Sequence, residues 1–171
     1  AANCKLQSLL ITGGVDLITA VVTVSAADCK ILDCEYRDVT GQATTGILTT
    51  NAADRLEVSG LVYDGAVVAG PGAAIALVGS DDVHIHDCYF DGDFSVGVID
   101  VRTTAVTDLR VYNCTARTRN AADIFLIDTI TASTGMIGPN INVRLQDNAA
   151  NITEAVTGGT FVIFGGGAAG T

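Results

Sequence analysis

Val83-His84-Ile85-His86-Asp87-Cys88-Tyr89-Phe90 is the stretch that decides the fold. It reads apolar, any, apolar, two residues, Cys or Leu, any, apolar. The same order stands at Cys4-x-Leu6-x-x-Leu9-x-Ile11, Cys29-x-Ile31-x-x-Cys34-x-Tyr36, Leu56-x-Val58-x-x-Leu61-x-Tyr63 and Leu109-x-Val111-x-x-Cys114-x-Ala116. The copies thus start at Cys4, Cys29, Leu56, Val83 and Leu109, an almost constant spacing. A fixed period of about 26 residues marks a repeat architecture, in which each copy buries its apolar face on its neighbours. Asn3, Asp28, Asp82 and Asp108 stand just before four of the five copies, and Asp54 lies one place further back in the third.

Each copy continues through a Gly-, Ala- and Thr-rich connection to a second apolar run. These runs are residues 20–24, 46–49, 74–78, 97–101 and 124–127. They are short and largely β-branched, and small or turn residues bound them, as in strands. A degraded sixth turn is expected at Ile141-Asn142-Val143-Arg144-Leu145, continuing to Thr160-Phe161-Val162-Ile163-Phe164.

Two solenoids accommodate a repeat of this length. A leucine-rich repeat needs a further Leu three residues upstream. Ala26, Ala53, Ser80 and Val106 stand there instead, and the second half of each copy has no helical periodicity. The expected fold is therefore all-β: a single-stranded right-handed parallel β-helix of about six coils over residues 1–164. Residues 165–171 read as a flexible Gly/Ala-rich tail. Stacked rungs bring equivalent residues about 4.8 Å apart, so each inward ladder should be chemically uniform. Leu6, Ile31, Val58, Ile85 and Val111 form an aliphatic one. Ile11, Tyr36, Tyr63 and Phe90 form a largely aromatic one. Between them lies a break whose second residue is Ser8, Asp33, Gly60, Asp87 or Asn113, which is turn chemistry.

Composition agrees. Val, Ile and Thr make up 53 of 171 residues, against 3 Glu and 2 Lys, which favours strands over helices. The hydrophobic share of 49% is too high for a disordered chain. No run of about 18 apolar residues exists to span a membrane as a helix. The start, Ala1-Ala2-Asn3-Cys4, has neither the basic segment nor the apolar stretch of a signal peptide. It also lacks an initiator Met, which suggests processing or trimming. The net charge of −10 argues against a nucleic-acid partner, which would need clustered cations.

Candidate chemistry is sparse. Cys34, Cys88 and Cys114 fall on one inward ladder, and Cys4 and Cys29 on another. Stacked Cβ vectors are poor for a disulfide, so all five read as core thiols. His84 and His86 flank inward Ile85 and point outward together. Such a pair could hold zinc given a third ligand. The simpler reading is a charge ladder, with Lys30 and Glu57 on one side of His84 and Arg110 on the other. Asp81 and Asp82 are an adjacent acidic pair, but they sit where Asp is a turn former. Asp64, Asp91 and Asp93, with Arg37 and Arg117, could mimic the calcium cluster and base of a lyase. Asn113-Cys114-Thr115 and Asn151-Ile152-Thr153 match the glycosylation acceptor pattern, which is frequent by chance. No catalytic, cofactor or metal residue is assigned.

The V-x-I-x-x-C-x-F copies resemble the coils of right-handed parallel β-helix proteins. That group includes pectate lyases and polygalacturonases. The Asn-Thr-Asp, Gly-His-Gly and Arg-Ile-Lys companions of polygalacturonases are missing here. The coils, with stretches such as 74–83 and 138–142, are similar to β-helix proteins encoded among bacteriophage structural genes. That resemblance implies a virion decoration, fibre or tailspike at a virion or extracellular surface, with no active site. It also implies a homo-oligomer, with other capsid or surface proteins and carbohydrate as further partners. The alternatives are a carbohydrate-binding or polysaccharide-degrading β-helix, for which the outward aromatics would be Tyr89, Tyr112 and Phe94, and an adhesin or surface-layer segment. Apolar first and last coils would need covering. A trimer is expected slightly ahead of an end-to-end fibre.

Overall fold

The computed structural model describes residues 3–13, 18–38, 44–65, 72–118, 125–128, 130, 132–145, 153–156 and 159–164. The first turn holds β1 (Lys5–Gln7), β2 (Leu10–Gly13) and β3 (Val22–Val24). The second holds β4 (Lys30–Leu32), β5 (Glu35–Asp38) and β6 (Thr45–Thr49). The third holds β7 (Glu57–Ser59), β8 (Val62–Asp64) and β9 (Ala73–Leu77). The fourth holds β10 (His84–His86), β11 (Tyr89–Gly92) and β12 (Gly97–Val101). The fifth holds β13 (Leu109–Tyr112), β14 (Thr115–Thr118) and β15 (Leu126–Asp128). The sixth holds β16 (Thr134–Ile137), β17 (Asn142–Leu145) and β18 (Thr153–Val156), and β19 (Thr160–Ile163) opens a seventh.

Every third strand pairs, always in parallel, so three sheets run the length of the molecule. Sheet A is β1-β4-β7-β10-β13-β16-β19, sheet B is β2-β5-β8-β11-β14-β17, and sheet C is β3-β6-β9-β12-β15-β18. No described residue is helical. The fold is a parallel β-solenoid whose turns have the length that the repeat predicts.

The register reproduces the predicted ladders residue by residue. Leu6 stacks on Ile31, then Val58, Ile85, Val111, Ile137 and Ile163. Ile11 stacks on Tyr36, Tyr63, Phe90, Ala116 and Val143. Val58, Ile85, Phe90 and Val111 are completely buried. The aromatic ladder needs room opposite it. A Cβ on Gly46 would collide with the Tyr63 ring, so the glycine of β6 is what admits that ring.

The corner between sheets A and B is a single residue in the left-handed region. Ser8, Asp33, Gly60, Asp87, Asn113 and Asn140 have φ of 54°, 52°, 63°, 54°, 52° and 60°. Gly, Asn and Asp are the residues that adopt this conformation most cheaply. That accounts for the turn chemistry seen at this break. A second left-handed column enters sheet A at Asn3, Asp28, Arg55, Asp82 and Asp108. In the third turn Arg55 takes the position rather than Asp54. Its guanidinium reaches the Asp28 carboxylate of the turn below at 2.6 and 2.9 Å, a tie that offsets the unfavourable backbone.

The sixth turn differs from expectation. Its first strand is Thr134–Ile137, which the repeat pattern missed. Gly135 occupies the apolar position of Leu109, and an extra residue lies between the ladders. Val111 pairs with Ile137 and Thr115 with Asn142, so the segment from Ile137 to Asn142 is one residue longer than the one it stacks on. The Gly138-Pro139 corner absorbs the insertion. Thr160–Ile163 is not the far strand of the sixth turn but the start of the next, stacked on β16. Residues 165–171, read as a tail, lie outside the described residues.

Candidate functional site

The residues singled out from sequence fall on the outer faces of sheets A and B. On sheet A the register places Lys30, Glu57, His84 and Arg110 in one column, as predicted. The side chains nevertheless choose different partners. Lys30 Nζ donates to Glu57 at 2.5 Å. Glu57 then faces His86 Nε2 diagonally at 3.5 Å rather than His84. His84 Nε2 lies 3.1 Å from Asp82, and Arg110 grips Asp108 at 2.6 and 3.1 Å. The column stands in register as expected, and within it His84 and Arg110 each meet an aspartate two residues earlier in their own turn. Residues two apart on one strand project on the same side, and the left-handed corner lifts Asp82 and Asp108 beside them.

His86 is the more enclosed histidine, with 16% of its side chain exposed against 33% for His84. Its ring stacks on Tyr112, with centroids 4.8 Å apart and planes 2° from parallel. Its Nδ1 meets Asp87 at 2.7 Å. The corner amides extend the chain of contacts: Asn113 donates to Asp87 at 3.2 Å, and Asn140 donates to Asn113 at 2.9 Å.

These contacts set the acidities. The hydrogen bond from Lys30 holds the Glu57 carboxyl below its ordinary range. The hydrogen bond from His86, helped by Asn113, does the same for Asp87. Arg110 lowers Asp108, and Arg55 lowers Asp28. Burial raises the Tyr112 phenol, with Asp87 and Glu57 adding to it. An open groove of about 300 Å³ runs between these rungs, lined by Asp28, Lys30, Arg55, Glu57, Asp82 and His84. Within it Asp28 is paired with Arg55 and Lys30 with Glu57, and Asp82 lies beside His84. Among the described residues no three His, Cys, Asp or Glu side chains converge to hold a metal ion.

Of the acidic candidates, Asp81, Asp82 and Asp91 have side-chain partners. Asp81 accepts from Thr107 Oγ1 at 2.5 Å, and its amide donates to Asp54 at 3.0 Å. On sheet B, Arg37, Asp64, Asp91 and Arg117 do share one column. Arg37 pairs with Glu35 at 2.5 Å, and Arg117 lies 3.8 Å from Asp91.

Two placements are corrected. Phe94, expected outward, is 1% exposed and packs on Tyr63 with centroids 5.5 Å apart. Gly92 leaves the space that lets its ring turn inward. Cys4, expected in the core, is exposed because no described turn covers it. The other four cysteines are buried, and all five are thiols. The hydrogen bond shared with Cys114 raises the Cys88 thiol, and burial adds to the shift. Asn113 is an exposed corner residue, and Asn151 lies outside the described residues.

Sheet B carries a feature that the repeat pattern did not expose. Its outward column reads Leu10, Glu35, Val62, Tyr89, Thr115 and Asn142. Leu10 is 60% exposed, and Val62 and Tyr89 are each 39% exposed. Motif reading catches inward positions because they repeat. These outward ones vary in size and polarity, and only the register brings them together.

The chain matches no protein-family model, no curated protein and no solved structure.

Proposed function

We propose that the chain is a non-catalytic structural β-solenoid of a self-assembling surface, specifically a virion decoration or fibre protein. The observation that carries this reading is the state of sheet A's outer face. Lys30 is paired with Glu57, Arg55 with Asp28 and Arg110 with Asp108, which suits a face that braces the solenoid. Catalysis needs the opposite: groups aimed at a reacting atom, with protonation states set apart. The sequence resemblance to bacteriophage β-helix proteins supports the virion setting, and a surface of net charge −10 suits a particle exterior.

The competing reading is a polysaccharide-degrading β-helix. Incubation with polyuronates and neutral polysaccharides separates the two. No new chain ends should form, and light scattering should show assemblies larger than one chain. Turnover abolished by Asp81→Asn with Asp82→Asn would overturn the proposal.

A further inference from the structure

We infer that Cys4 and Cys29 form a two-thiol site for a soft monovalent cation, copper(I) in kind, beside the first turn. The site is independent of the self-assembling reading above.

Both residues stand one place before a strand of sheet A, in the column that continues as Leu56, Val83 and Leu109. Those three are buried and belong to the apolar core. Lys5 pairs with Lys30, and the Lys30 amide donates to the Cys4 carbonyl at 2.8 Å, so the two cysteines are neighbours on consecutive rungs. They line one open cleft of about 250 Å³, together with Leu6, Val22, Ala26 and Ile31. Cys4 is exposed, and Cys29 is 6% exposed.

Spacing decides what two such sulfurs can do. Side chains that repeat one orientation on adjacent rungs stand about 4.8 Å apart. A disulfide needs its sulfurs about 2.05 Å apart with crossed Cβ vectors, and both cysteines are thiols here. A metal ion between two thiolates needs them at twice a metal–sulfur distance of about 2.3 Å, which is about 4.6 Å. The stacking that opposes a disulfide therefore suits a linear sulfur–metal–sulfur bridge.

Ligand number selects the ion. Structural zinc takes four ligands, and among the described residues no third His, Cys, Asp or Glu joins the pair. Lys30, which also lines the cleft, is paired with Glu57. Soft thiolates select copper(I), an ion that two sulfurs in line satisfy. Binding displaces both thiol protons to solvent. One monovalent cation and two thiols give one anionic dithiolate complex and two protons, with no change of oxidation state. Cys88 and Cys114 also stand on consecutive rungs, but they are 3% and 0% exposed, which leaves an incoming ion no path to them.

Silver(I), a stand-in that does not change oxidation state, tests this on the full reduced chain in oxygen-free buffer. Native mass spectrometry and competition titration compare wild type with Cys4→Ser and Cys34→Ser, and circular dichroism verifies folding of each. Cys34→Ser removes a thiol from the other ladder. Wild type should bind its first silver ion at one per chain, with release of protons, and Cys4 should lose its reactivity to iodoacetamide. X-ray absorption of that complex should read two sulfur neighbours. Cys4→Ser should bind the first ion at least tenfold more weakly, with Cys34→Ser within twofold of wild type. Equal binding by Cys4→Ser would mean an adventitious ion only and overturn the inference. One ion per two chains would give the metal to Cys4 of two copies and also overturn it, as would a Cys4–Cys29 disulfide in the untreated protein.

Discussion

Phe90→Ala should produce a large loss of stability for a single substitution. Phe90 has no exposed surface and sits on the aromatic ladder between Tyr63 and Ala116. Ala116 is too small to fill the space that the ring would leave. Backbone hydrogen bonds to the turns on both sides keep the sheet from collapsing into it. Truncation of a buried Phe that cannot be refilled costs about 3–5 kcal/mol. A chain of this size loses roughly 2–4 °C of Tm per kcal/mol, so the expected drop is about 6–20 °C. Thr12→Ala, on the exposed side of the same sheet, should shift Tm by only about 2 °C or less. Thermal unfolding followed by far-ultraviolet circular dichroism, in dilute solution, reads both. A drop below about 3 °C for Phe90→Ala would refute the reasoning, because the ring could not then be a packed rung of the core.

Other outcomes follow from the same geometry. Mass spectrometry of the unfolded, non-reduced protein should find five alkylatable cysteines, and in the native protein Cys4 should react far ahead of the other four; a recovered Cys88–Cys114 bridge would contradict the thiol ladder. Asp81→Asn with Asp82→Asn should cost no more than about 1–2 kcal/mol, the scale of lost local hydrogen bonds, as read by urea denaturation. Glu57, Asp87, Asp108 and Asp28 titrate lower in the fold than in the unfolded chain, so their contribution is present above about pH 4 and lost as pH falls through the folded values. Tm should therefore hold between about pH 7 and 5 and fall below about pH 4; a flat profile to pH 2 would contradict those pairings. Burial and Asp38 push the Tyr36 phenol up to about 12, so it should stay un-ionised in the fold when free tyrosine has titrated. Its contribution is complete below about pH 10 and lost as pH rises toward 12, which absorbance at alkaline pH would follow.

The inward half of the molecule was legible in the sequence because stacking imposes uniformity. Leu6 through Val111, and Ile11 through Phe90, announce themselves as columns of like residues. The corners were legible too, since a left-handed residue selects Asp, Asn or Gly. Legibility ended where one rung broke the rule. Gly135 for an apolar residue and one inserted residue at Gly138-Pro139 were enough to hide β16. Phe94 misled because its inward turn depends on space beside Gly92, which no periodicity records. Outer faces are harder still. Their side chains answer to the adjacent turn, so the partners of Glu57 and His86 emerge only from the register. The column of Leu10, Val62 and Tyr89 was invisible for the same reason.

Electron microscopy of the purified 171-residue chain tests the central claim most directly. A structural, self-associating solenoid predicts assemblies built from short rods, each about 25–30 Å tall at a rung spacing of about 4.8 Å. Lone monomers at every concentration, together with turnover of a polysaccharide in the same preparation, would contradict it.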